Sequence, residues 1–599
     1  MATTSSPGPR GGAAVRATTL PRMILASRRH PGVALRVPSG DAWSDTTFAA
    51  LGDAVTEVAA GLIDLGVRPG DRVAILGETR PEWTIADGGA LCAGATVVPV
   101  YHTSSPEECR YVLAHAGVRV LICDDATQLA KIEAVRGELP ALEHVITMVP
   151  AEGVPSLADL RARAGEEAEA AVERAVENIQ PDDPATIVYT SGTTGPPKGC
   201  VLTHANCLAT VAMYRTCVEL DASAVIFMFL PLAHALARVV EFVALDVGAT
   251  LAFWQRDPKR LLDDLAGARP THFPSVPRLF EKIHGRAMAT AEESSTLRRR
   301  IFTWGLATGT AVRRAQRDGG SPSPLLRAQH AVADRLVLSR VRALFGGELQ
   351  LGLTGAAPIA REVLEFFDAC GILVLEGYGL TETCAAATLN PPRGVRLGSV
   401  GPALDGAAVR VADDGEVLVQ GPNVFAGYYE DPAATAEIVA GDWLRTGDLG
   451  ELDEDGFLTI TGRKKDLIIT SSGKNIAPAN LETALRESRW ISEAVVFGDN
   501  KPYLVAVLTL DKDELGALAQ RAGVPEDRAA MATDPRVQAV IQSDVDEVNA
   551  RFARIEQIKR FAILEQDLTQ GDGELTPTLK VKRAAVAEHY GEQIAALYG

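Results

Sequence analysis

The chain has 599 residues, 47% hydrophobic and 23% charged, which is too apolar for a disordered polymer and, at ~150 residues per domain, enough for about four structural units. Its 59 lysines and arginines against 77 acids leave a net charge of −18, which argues against a sequence-independent nucleic-acid binder. Eight scattered cysteines with no CxxC pair argue against a zinc ribbon or a disulfide scaffold and fit a reducing cytoplasm.

Residues 1–17 are rich in Ser, Gly and Pro, lack the apolar stretch of a signal peptide, and are expected to form a disordered arm. Thr47–Leu65 reads as an amphipathic helix and Asp71–Leu76 as a strand, followed by a helix over Trp83–Gly94 and a strand over Ala95–Tyr101. The alternation recurs at Glu108–Ala116 and Val118–Cys123, which predicts βαβ units on a largely parallel sheet. A charged helix over Leu157–Asn178 leads to a break at Pro181-Asp-Asp-Pro184. The apolar stretch Ala222–Ala237 contains Pro231 and His234 and is shorter than the ~20 residues of a membrane span.

Over residues 285–345 the text becomes helical and basic, with Arg298, Arg299, Arg300, Arg313, Arg314 and Arg317, and is broken at Gly319–Pro324. Two readings stay open: an amphipathic membrane-surface element, or a helical pair packed on the main domain with its arginines solvated. Val409–Val419 reads as a hairpin turning at Asp414-Gly415, part of a small barrel-like unit. From Arg463 the chain has strands (Ala494–Phe497, Leu504–Leu510) and helices (Pro478–Glu487, Asp534–Ala553) enough for a separate domain.

Four motifs carry chemistry. Tyr189-Thr-Ser-Gly-Thr-Thr-Gly-Pro-Pro-Lys-Gly199 follows an apolar strand and precedes a helix near Asn206. Its backbone N–H groups, the hydroxyls of Thr190, Ser191, Thr193 and Thr194, the small Gly192 and the charge of Lys198 suit a phosphate cradle. The Gly-Lys spacing of a Walker A loop is absent. Glu376-Gly-Tyr-Gly-Leu-Thr-Glu-Thr383 fails the dinucleotide fingerprint, but Gly377 and Gly379 would let a flat ligand approach, with Tyr378 as a stacking face. Thr381 can donate to a phosphate and Glu382 can hold Mg²⁺, a cation that takes one or two carboxylates plus phosphates. Trp443-Leu-Arg-Thr-Gly-Asp448 offers a carboxylate for paired ribose hydroxyls, with Arg463 to close over ribose or phosphate. Gly573–Arg583 places Lys580 after a Pro-restricted loop, where a basic tail is the plainer alternative.

In this order the motifs resemble the adenylate-forming superfamily of acyl-CoA synthetases, luciferases and adenylation domains, over about Thr47 to Tyr598. Phe229–Ala235, Pro274–Lys282, the helical insertion and Gly573–Lys580 are most similar to bacterial long-chain fatty-acid–CoA ligases. The resemblance implies an α/β fold. A large N-terminal domain (18–462) would hold two mostly parallel sheets and a small barrel-like subdomain, with a small mobile α+β domain over 463–599. It implies ATP, Mg²⁺ and CoA, with a fatty acid converted to acyl-AMP and then to acyl-CoA. Lys580 would stabilise charge on the α-phosphate, Thr381 would contact it, His234 would orient the carboxylate, and Tyr378 would contact adenine. Lys465 would be the pivot, with Gly473 and Lys474 facing the pantetheine tunnel. Gly355, Ala356 and Ala357 would line the acyl site. Two alternatives stay open: a fatty-acyl-AMP ligase that delivers to a carrier protein, and a non-catalytic acyl- or nucleotide-binding protein. A cytoplasmic location is expected, with peripheral membrane contact and a homodimer left open.

Overall fold

Thr47 starts the first long helix, Phe48–Asp64, by accepting a hydrogen bond from the amide of Ala50, and the helix lays Leu51, Val55 and Val58 into the core. The computed structural model describes residues 17–40, 42–190, 196–317, 319–471, 474–576 and 580–599. The expected arm therefore lies, except for Ala17, outside the described residues, as do Ser191–Thr194 of the phosphate cradle and Gly473.

The expected βαβ alternation is present. Arg72–Gly77, Thr96–Tyr101, Val120–Cys123 and His144–Thr147 are parallel strands, separated by helices such as Pro81–Cys92 and Pro106–His115. Their near-continuous burial reflects helices on both faces. This seven-stranded sheet continues through Pro184–Thr190 to two antiparallel strands, Lys198–Thr203 and, at the edge, Gly427–Tyr428. The strands that flank the phosphate cradle are thus antiparallel neighbours: Lys198 opens the second of them, and the helix His204–Cys217 comes only after it. The predicted helix over 157–178 is two helices, Leu157–Arg161 and Ala168–Asn178, interrupted around Gly165.

The second sheet has eight strands. Its parallel centre comprises Leu373–Tyr378, Leu351–Thr354, His272–Ser275, Val225–Met228, Thr250–Phe253 and Val33–Ser39. A five-stranded antiparallel sheet, with the hairpin Ala408–Val411 and Glu416–Gln420, takes the place of the small barrel-like unit. In that sheet Trp443–Leu452 pairs with Leu458–Arg463.

After Ile468 the apolar clusters are self-contained. One gathers Leu485, Leu508, Ile541 and Val545; a smaller one gathers Val507, Leu564 and Val586. No apolar cluster among the described residues joins this part to the sheets before it. The two parts meet instead through polar contacts on the helix Pro277–Glu292: Arg278 pairs with Glu493 at 2.5 Å and Lys282 with Asp513.

Candidate active site

The carboxyl ends of parallel strands are where α/β sheets expose chain turns to ligands. Here several such ends meet the polar parts of the motifs. Strand Leu373–Tyr378 ends at the short turn Thr381–Thr383, which carries Thr381 and Glu382. At Gly379 a Cβ would collide with the backbone of Ala385–Ala386, so its bareness serves the chain's own turn; Gly377 likewise abuts Thr388 and Leu389. The neighbouring strand Leu351–Thr354 ends at Gly355, which packs against the carbonyl of Gly377, and at Ala356, which has a left-handed φ of 67°. Ala356 and Ala357 are exposed.

Antiparallel pairing brings together two residues fifteen apart. Asp448 and Arg463 are cross-strand partners, and the Arg463 Nε donates to Oδ1 of Asp448 at 2.7 Å. The Tyr378 hydroxyl donates to the other oxygen, Oδ2, also at 2.7 Å. The Tyr378 ring expected as a stacking face therefore also holds, through its hydroxyl, the carboxylate expected to bind ribose.

Glu382 is held by a residue that no motif contains. The Tyr428 hydroxyl donates to its Oε1 at 2.7 Å, and the Lys198 ammonium lies 5.0 Å from the centroid of the Tyr428 ring, within cation–π range. Tyr428 reaches this place because its two-residue strand pairs with Lys198–Thr203. Only that long-range pairing reveals it. Among the described residues no cluster of three acidic, His or Cys side chains forms a ready metal cage. Glu382 fits Mg²⁺ in the way a hard cation is held by one carboxylate and substrate phosphates.

His234 caps the helix Ala235–Val247, its Nδ1 accepting from the amide of Leu236 at 3.2 Å. Burial, and then the nearby Lys580 charge, lower its pKa to about 4, so the ring is neutral near pH 7 with its proton on Nε2. One turn on, Arg238 is wholly buried. It donates to Asp87 at 2.6 Å and to the Thr186 hydroxyl at 2.6 Å, tying the His234 helix to the strand that enters the phosphate cradle.

Lys580 comes from the far end of the chain to the same cleft. Protein packed around its ammonium lowers the pKa, and the groups it feels are Arg463, Asp448, Glu382 and Lys465, although the side chain keeps access to solvent. Lys465 lies in the short turn Lys464–Asp466 that follows strand Leu458–Arg463, and its pKa is lowered by burial and by Arg463. Lys464 is fastened to Asp414 at 2.7 Å. Lys474 is exposed at the base of a small hairpin, Ile468–Ile469 with Asn475–Ile476. The structure thus gathers Lys198, Tyr378, Glu382, Asp448, Arg463, Lys465, His234 and Lys580, while Lys474 stands on a separate hairpin.

Two family descriptions match: AMP-binding enzyme over residues 26–429, and AMP-binding enzyme C-terminal domain over residues 465–599. The chain is 41% identical over 562 residues to long-chain-fatty-acid–CoA ligase FadD15 of Mycobacterium bovis, covering 93% of this chain and 92% of that one. It is 34% identical over 579 residues to the peroxisomal long chain acyl-CoA synthetase 6 of Arabidopsis thaliana, covering 92% and 81%. Among solved structures, a Mycobacterium tuberculosis fatty acyl CoA synthetase matches with a TM-score of 0.63 at 25% identity, covering 96% of this chain and 99% of that one. The adenylation domain of a Mycobacterium chelonae carboxylate reductase shares the fold, with a TM-score of 0.75 at 22% identity and coverage of 97% and 91%.

Proposed function

The chain belongs to the AMP-binding enzyme family, and from that membership we infer that it is an AMP-forming long-chain fatty-acid–CoA ligase. The observation that carries the reading is the convergence of Lys580 with Asp448, Glu382, Arg463 and Lys465, because one lysine from a separate domain then completes a nucleotide site built by the other. A carrier protein as acceptor and a non-catalytic binder are not favoured, since the curated relatives that match over most of the chain are named long-chain-fatty-acid–CoA ligase and long chain acyl-CoA synthetase.

In the first half-reaction the fatty-acid carboxylate attacks the α-phosphorus of ATP in line, the bond to the bridging oxygen breaks, and pyrophosphate leaves. Lys580 stabilises the charge that grows on the α-phosphate oxygens, and Thr381 donates to the same group. Thr190, Ser191, Gly192, Thr193, Thr194 and Lys198 orient the β- and γ-phosphates. Asp448 accepts from the ribose hydroxyls, Arg463 closes beside it, and Gly377, Tyr378 and Gly379 border the adenine. Glu382 would hold Mg²⁺, which when bound neutralises charge on the leaving pyrophosphate. His234, neutral and with Nε2–H available, donates towards the carboxylate being activated.

In the second half-reaction the CoA sulfur attacks the acyl carbonyl carbon, and AMP leaves. The small domain begins within the turn Lys464–Asp466, so Arg463 stays with its strand partner Asp448. Rotation about Lys465 withdraws Lys580 and brings the hairpin with Gly473 and Lys474 towards the pantetheine arm. Gly355, Ala356 and Ala357 line the acyl path. The enzyme works in the cytoplasm with fatty acid, ATP and CoA as partners, in peripheral contact with a membrane.

Incubation with palmitate, ATP and Mg²⁺, with and without CoA, tests the reading. Palmitoyl-CoA and AMP in equal amounts are expected. Acyl-AMP that persists despite CoA would point to a carrier acceptor, and the absence of pyrophosphate would overturn the assignment.

A further inference from the structure

The helices of residues 296–345 stand apart from the rest of the molecule in charge. The segment contains ten arginines, two aspartates and no lysine or glutamate, a net +8 within a chain of −18. Its inner face is clamped on the large domain. Gly309 abuts the Ala369 backbone, and Arg313 and Arg342 donate to the carbonyls of Asp368 and Cys370 at 3.0 and 2.8 Å.

The outer face is unpartnered in two ways at once. Of the eight large apolar side chains left exposed among the described residues, six lie in this segment; Leu297 and Leu325 are 69% and 70% exposed. Leu297 and Trp304 are seven residues apart on helix Thr296–Arg317, and Leu325 and Val332 seven apart on Pro324–Ala333, so each pair shares a helical face. Interleaved with them, Arg298, Arg299 and Arg300 are exposed and have no acidic partner among the described residues. By contrast the exposed Arg269, Arg361 and Arg536 are paired with Glu348, Glu365 and Asp534.

We propose that this helical insertion is the face on which the enzyme rests on an anionic lipid bilayer, with its arginines on headgroup phosphates and its exposed leucines and Trp304 in the acyl boundary. The charge complementarity selects an anionic partner, and the apolar side chains between the arginines select a lipid surface over a nucleic acid, whose backbone offers them nothing to bury against. No helix among the described residues is long and apolar enough to cross a membrane, so the contact is interfacial. The proposal builds on the ligase reading by naming where an enzyme for a membrane-partitioned acid meets the source of that acid.

The test is co-sedimentation of the full chain with vesicles of phosphatidylcholine alone or with one-quarter phosphatidylglycerol. Binding is expected only to the anionic vesicles and is expected to weaken in half-molar salt. Replacing Arg298, Arg299 and Arg300 together by Gln should lower partitioning about 100-fold, at roughly fivefold for each cation near the surface. A second variant, Leu297→Ser with Trp304→Ser and Leu325→Ser, should also lower it while keeping the salt dependence. Both variants should convert palmitate in detergent at the wild-type rate, which certifies their folding. Equal partitioning of wild type and variants, no vesicle binding, or use of the same residues for duplex DNA or for a second copy of the chain would overturn the proposal. A wild type that makes no acyl-CoA in detergent would overturn the ligase reading and leave the vesicle result standing.

Discussion

The hydroxyl of Tyr378 and the carboxylate of Asp448 are joined by a 2.7 Å hydrogen bond across seventy residues of sequence, and Arg463 holds the second carboxylate oxygen at the same distance. The carboxylate is thereby fixed before any ligand arrives. Tyr378→Phe removes one of the two donors to a buried acid, at a cost of about 1.5 kcal/mol. The KM for ATP in the ATP–pyrophosphate exchange assay should rise roughly tenfold, with a smaller change in the rate at saturating ATP. An unchanged KM would remove Asp448 from the nucleotide site.

Lys580 should matter to one half-reaction only. Lys580→Ala should slow acyl-AMP formation by about 10²- to 10³-fold, as for loss of a charge-stabilising group in a preorganised site. Thioester formation from supplied palmitoyl-AMP and CoA should stay within a few-fold of wild type. Because burial and Arg463 lower the lysine pKa from its ordinary value, its charge is lost at lower pH than for a free lysine, so the alkaline fall in exchange activity should begin at a lower pH than an ordinary lysine would set. In Lys580→Arg that limb should shift upward.

The ion pairs Arg278–Glu493 and Lys282–Asp513 hold the small domain in the arrangement that presents Lys580. The Lys282–Asp513 pair is about half exposed on both sides and contributes at most ~1 kcal/mol, whereas Arg278 is half exposed but its partner Glu493 is largely buried. Arg278→Ala with Lys282→Ala should therefore slow adenylation about two- to fivefold and leave thioester formation unchanged. Half-molar salt should reproduce the effect in wild type and add nothing in the double variant.

Glu241 predicts a pH signature of stability. It is buried, and burial followed by the nearby Asp87 charge raises its pKa to about 8. The folded state holds this proton more tightly than the unfolded chain does. The stabilisation is complete below the ordinary carboxylate pKa and is lost as pH rises through about 8. Melting temperature should fall between pH 5 and pH 8.5, and Glu241→Gln should flatten that fall. A parallel slope in the variant would assign the dependence elsewhere.

The motifs were legible in the sequence because their chemistry requires clustered residues: four hydroxyls, three glycines and a lysine from Thr190 to Gly199 have no simpler structural use. Asp448 and Arg463 were legible singly, and strand pairing supplied their contact. Tyr428 was not legible, because a tyrosine after Ala-Gly carries no local signal and its place depends on an edge strand formed with Lys198–Thr203. That edge strand was itself hidden by the Gly-Pro-rich text leading into it. The hairpin Val33–Ser39 with Ala42–Thr47 escaped for a related reason: its second strand is polar and exposed at the sheet edge, so it lacks the alternation that marks half-buried strands.

Among the described residues the two parts of the chain share no apolar core, and this has a consequence for timing. Packed cores switch between arrangements only at a large cost, whereas a joint made of one covalent strand and a few solvated ion pairs leaves two orientations separated by little free energy. Such a joint is tipped by whichever ligand contacts one orientation better, and a tenfold preference, about 1.4 kcal/mol, takes an evenly balanced population to ten to one. In the proposed two-step cycle the order of events would then be written in the ligands themselves: ATP and the acid would favour one orientation, and the departure of pyrophosphate would release the other.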